Sequence, residues 1–66
     1  MSVAKVIEIT ASSPTSFAEA VKVGIAKAAE SVHGIKAAWV SEESVIVEND
    51  AVTEFRVTMR VSFVLD

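Results

Sequence analysis

The clearest pattern in the chain lies toward its C-terminus, where apolar and polar residues alternate one for one. Phe55, Val57, Met59, Val61, Phe63 and Leu65 share one parity; Glu54, Arg56, Thr58, Arg60, Ser62 and Asp66 share the other, with Val64 the exception. Successive side chains of a strand point to opposite faces, so residues 52–66 are predicted to form a half-buried strand. Residues 35–49 read as its hairpin partner, because Glu48-Asn49-Asp50-Ala51 between them centres on two residues that tolerate a tight turn. Residues 3–10 are rich in β-branched side chains and predict another strand. Residues 11–15 read as a turn, since Pro14 keeps Ser13 out of helical geometry. Ser16 followed by Glu19 is a capping-box pair that opens a helix expected to run to about Val32, with Gly34 placed to end it. Phe17, Val21, Ile25, Ala28 and Val32 recur near the helical period as a core stripe, and the small Ala20, Gly24 and Ala28 allow close approach. The chain is therefore predicted to be α+β, in the order β-α-β-β.

The predicted elements do not match in size. A strand of about fifteen residues extends roughly 50 Å, whereas a helix of about sixteen spans only roughly 24 Å. One helix cannot cover such a hairpin. The second strand is moreover apolar at both parities: Ala37, Trp39, Val45 and Val47 are expected on one face, and Ala38, Val40 and Ile46 on the other. Uncovered surface of this kind marks an association site.

Length and composition point the same way. A chain of 66 residues lies where folding usually leans on disulfides, metals or self-association. It has no cysteine and one histidine, His33, which leaves association between copies as the available support. Although 52% of residues are hydrophobic, no apolar run approaches the roughly 18 needed to span a bilayer. Met1-Ser2-Val3-Ala4-Lys5 leads into the strand pattern without the features of a secretory signal, so a cytoplasmic location is expected. A net charge of −3 argues against nucleic acid as a partner.

Candidate chemistry is sparse. Glu42 and Glu43, between Ser41 and Ser44, read either as part of a divalent-cation site completed by other copies or as a bulge in the strand. Neighbouring strand residues face opposite ways, so the two cannot chelate one ion from a regular strand. His33 stands where a helix end favours a cation, a setting that alone makes no metal site. Arg56 and Arg60 share the polar face of the last strand, suited to cross-strand ion pairs of Arg60 with Glu42 or Glu43, or to a phosphate at Arg56. No Ser-His-Asp set and no glycine-rich phosphate loop is present, Gly24 and Gly34 being the only glycines, so a non-enzyme is expected.

Strand, helix and long hairpin in so short a chain, with Thr10-Ala11-Ser12-Ser13-Pro14 before the helix and the run from Phe55 through Phe63, resemble the dodecins over essentially all of residues 1–66. The resemblance implies a single domain whose three-stranded antiparallel sheet partly wraps one helix, assembled into a hollow dodecamer built of trimers. It also implies binding and storage of a flavin such as riboflavin or flavin mononucleotide, with coenzyme A or divalent cations as further ligands of some members. Flavin-binding members stack the ring on a tryptophan early in the second strand and hydrogen-bond it through a glutamine of the third. In register, Ala37 falls at the tryptophan's place and Arg56 at the glutamine's. Alanine has no π-face, and arginine has five donors and no acceptor. Trp39, two residues on and about 7 Å along the strand, is left either to stack a displaced ligand or to fill an interface between copies.

Overall fold

A computed structural model describes residues 3–65; Met1, Ser2 and Asp66, the last assigned above to the polar face of the final strand, lie outside the described residues. Strand β1 (Val3–Ser13) precedes helix α1 (Phe17–Ala28), which is followed by β2 (Ile35–Glu48) and β3 (Ala51–Leu65). The strands form one antiparallel sheet in the order β1-β3-β2. The long alternating strand is thus central, and both its neighbours are edges. The fold class is the expected α+β, β-α-β-β arrangement.

Strand β1 is longer than predicted. Ala11, Ser12 and Ser13, read above as a turn, pair with Val57, Arg56 and Phe55 of β3. A long central strand offers them a ladder, and Pro14, which has no N–H to give, then ends the pairing. Ser13 is buried; its Oγ accepts from the Thr15 backbone N–H at 3.1 Å and lies 2.8 Å from Thr15 Oγ1. The Ser16 side chain caps the helix by accepting from the Glu19 N–H at 3.0 Å. Helix α1 ends at Ala28 instead of near Val32. Its last carbonyls are met by a tightened turn, Glu30 donating to Lys27 and Ser31 to Ala28. Gly34 does take the left-handed backbone expected of it, at φ 78°, and its carbonyl accepts from Val64 where the β2–β3 ladder starts.

The core lies where α1 crosses β1 and β3. Ala20, Val57, Met59 and Val61 are fully buried, and Ile7, Ile9, Phe17, Val21 and Ile25 pack around them. The buried line of the helix is its small residues, Ala20 and Gly24; the larger Phe17, Val21 and Ile25 flank it as partly buried supports. Phe17 meets Phe55 edge-on, with ring centroids 5.2 Å apart. The molecule measures 51 × 20 × 14 Å, while a helix of 12 residues covers only about 18 Å of that length. Strand β2 is exposed along nearly its whole length. Among the described residues no helix is long and apolar enough to cross a membrane.

Three irregularities interrupt the hairpin register, between Ile35 and Ala37, between Val40 and Glu42, and between Ile46 and Val47. The second corrects the faces predicted for β2. Ser41 is an extra residue there, and an extra residue reverses the parity beyond it, here as far as the third irregularity. Val45 pairs with Phe55 and so joins Ala38 and Val40 on the helix side, whereas Ala37 and Trp39 pair with Ser62 and Arg60 on the other side.

Candidate functional site

The face of the sheet turned away from α1 carries the polar residues. Strand β3 contributes Glu54, Arg56, Thr58, Arg60 and Ser62, and the register sets residues of both edge strands beside them. Arg60 has Glu8 on one side and Trp39 on the other. Thr58 lies between Thr10 and Glu42, with its hydroxyl 3.2 Å from that of Thr10. Ser41 Oγ donates to the Thr58 carbonyl at 3.1 Å and so ties down the bulge. Arg56 lies between Ser12 and Ser44.

The three positions singled out by register, Ala37, Trp39 and Arg56, all lie on this face. Trp39 is 45% exposed, and the small Ala37 beside it leaves its ring uncovered. Arg56 is four residues along β3 from Arg60, the partner of Trp39, a separation of about 13 Å. A single copy therefore brings Ala37 and Trp39 together but not Arg56 with them.

The expected pairing of Arg60 with Glu42 or Glu43 does not form. Arg60 is matched to Glu8, Glu42 is displaced to Thr58, and Glu43 pairs with Val57 on the helix side. The one ion pair among the described residues is Lys27–Glu30 at 3.3 Å, fully at the surface. Glu42 and Glu43 flank a bulge, as one of the two readings required, and they still point to opposite faces. No three acidic, histidine or cysteine side chains converge among the described residues, and His33 is exposed. Sequence reasoning missed Glu8, Ser12 and Ser44 as neighbours of the arginines. The alternation of Val6, Glu8, Thr10 and Ser12 was the available signal for the first two; Ser44 depends on the bulge.

Fold and face together define a small β-α-β-β subunit with an open polar sheet surface and an uncovered apolar edge strand. Residues 3–66 match the family model for Dodecin, and the chain belongs to the dodecin family. A calcium dodecin of Mycobacterium tuberculosis is 38% identical over 63 residues, which is 96% of this chain and 89% of the relative. The solved structure of a dodecin from Streptomyces davaonensis superposes with a TM-score of 0.95 at 28% identity, covering 98% of this chain and 96% of that one. The crystal structure of calcium dodecin from Mycobacterium tuberculosis, described as calcium-chelating with a novel calcium-binding site, gives 0.85 at 34% identity over 97% of this chain and 91% of its own.

Proposed function

We propose that this chain is a non-enzymatic storage protein whose copies close into a hollow homododecamer, and that its ligand is a divalent cation, calcium first. One observation carries the ligand reading. At the two positions where the family resemblance puts the flavin grip stand Ala37 and Arg56, while a relative 38% identical over nearly the whole chain is a calcium dodecin. Hard cations want six or more oxygens. With no convergent acidic set in one copy among the described residues, the ligands would come from several copies. Glu42 on the exposed edge strand is the proposed contributor, and a net charge of −3 per copy raises the local cation concentration. Calorimetric titration of the metal-free assembly with calcium should show saturable binding, weakened in Glu42→Gln. An assembly that takes up no calcium defeats this reading.

Trp39 supports a second reading. A half-exposed indole on the open face is a stacking platform for a planar ligand such as riboflavin or flavin mononucleotide, held in a pose displaced from the family's usual one. Stacking would quench flavin fluorescence, and Trp39→Ala would restore it. Full fluorescence with wild-type protein leaves Trp39 as a contact between copies.

A further inference from the structure

The edge of the sheet away from β2 carries a feature that neither the cation nor the stacking reading uses. There α1 and the free edge of β1 border a groove of about 340 Å³, within the range of small-molecule sites. Its walls are apolar: Ile9 and Ala11 from the strand, Val23 and Ala28 from the helix. Val23 stays 46% exposed. Among the described residues, Lys27 is the one charged side chain on the wall. Its stem lies along apolar surface while its ammonium stays in water, donating to Glu30 Oε1 at 3.3 Å. Ion pairs this exposed hold their partners weakly. A neighbouring hollow shares Ser12 and Val23 with the groove and adds Glu19. The run of apolar surface thus has a cation at one end and a carboxylate at the other, about 12 Å apart along the helix.

We propose that this groove takes an amphipathic monocarboxylate, a medium-chain fatty acid, with its tail along Val23 and its carboxylate on Lys27. Release of water from apolar walls and tail drives the association. The carboxylate replaces Glu30 as the partner of Lys27, an exchange of one exposed pair for another. Glu19 gives the ligand its direction, because a negative head at that end would meet a like charge. For the same reason a dicarboxylate of similar length is disfavoured. The groove lies on the helix side of the sheet and at the edge opposite β2, the strand whose uncovered apolar surface invites another copy. It is therefore separate from Glu42 and from Trp39, and it stands whether or not calcium or a flavin binds.

The test uses the assembled full-length protein with labelled methyl groups, titrated with octanoate below its micellar concentration and, separately, with uncharged 1-octanol. Octanoate should shift the methyl resonances of Ile9, Val23 and Ala28 saturably, and octanol should shift the same ones with lower affinity. Two variants of the charges should act in opposite directions. Lys27→Gln should weaken octanoate about two- to fivefold, the worth of an exposed ion pair, and leave octanol unchanged. Glu30→Gln, which frees Lys27 and removes a like charge, should strengthen octanoate. Lys22→Gln, away from the groove, should change neither. Ala28→Leu fills the groove and should weaken both probes; if it fails to assemble, the opposed responses of Lys27→Gln and Glu30→Gln decide. Equal affinity for octanoate and octanol overturns the proposal, as does an equal loss in the Lys22 and Lys27 variants. Absence of saturable shifts in wild-type protein also overturns it, and a fall in native mass with Val23→Glu would then assign the groove to a second copy.

Discussion

Gly24 shows how tightly single residues are fixed under the helix. It is buried, and a Cβ built there would stand 2.8 Å from Met59 Cε and 2.9 Å from Ala11 Cβ. Alanine favours a helix over glycine by about 1 kcal/mol, so the two effects oppose each other in Gly24→Ala. Met59 Cε is the end of a flexible side chain and can swing aside. Ala11 Cβ is fixed to the backbone of β1 and cannot. Overpacking of this kind costs about 1–3 kcal/mol, so the clash should win and lower the urea midpoint. An unchanged or higher midpoint would mean that α1 can slide away from β1. The helical spacing pointed to close approach at Ala20 and Gly24, and that much was legible. What the spacing did not reveal is that these small residues, and not Phe17, Val21 and Ile25, form the most deeply buried line. Which part of an apolar stripe lies deepest depends on the shape of the opposing surface, here the fully buried Val57, Met59 and Val61.

At the level of elements, the hairpin turn followed from its residues and the faces of β2 did not. Asn49 and Asp50 both take positive φ, 52° and 63°, between the paired Glu48 and Ala51. That is the two-residue turn whose twist suits a hairpin, and it prefers glycine second. Asp50→Gly should therefore raise stability, by up to about 1 kcal/mol, seen as a higher melting temperature at equal protein concentration. A lower one would show that the Asp50 side chain contributes more than its backbone strain costs. The bulge at Ser41 had no comparable signal. Alternation specifies a face only while the count of residues is unbroken, and Ser41-Glu42-Glu43-Ser44 is polar at both parities, so nothing in it marks the extra residue. The error therefore fell on Val45 and Ile46, which pair with Phe55 and Glu54, while a further irregularity at Val47 restores the predicted face there. The extension of β1 through Ser13 was hidden for another reason: serine and proline carry turn preferences, and a long ladder on β3 overrode them.

For the whole molecule, the bulge turns a scattered apolar strand into an ordered surface. Ala38, Val40 and Val45 lie on the helix side of β2, where α1 does not reach, and Val40 and Val45 are 41% and 40% exposed. Directly beyond them lies the buried core of β3, so this surface continues the core and stops at the edge of the copy. A second copy seated there would complete a hydrophobic core that 66 residues leave unfinished. Burying a valine contributes about 1.5–2 kcal/mol, and a glutamate in its place would add the cost of a desolvated charge. Val45→Glu should accordingly disassemble the protein: its size-exclusion elution and native mass should fall from a large multimer toward trimer or monomer, with lower thermal stability. Ala18→Glu, at an exposed position in the first turn of α1, serves as a charge control and should keep the wild-type mass. If Val45→Glu assembles as wild type does, this surface faces the solvent, and the contacts between copies must be sought on the open face around Trp39. Burial of that face would also cover the half-exposed Trp39, so the position of the interface decides whether a planar ligand can stack there from outside.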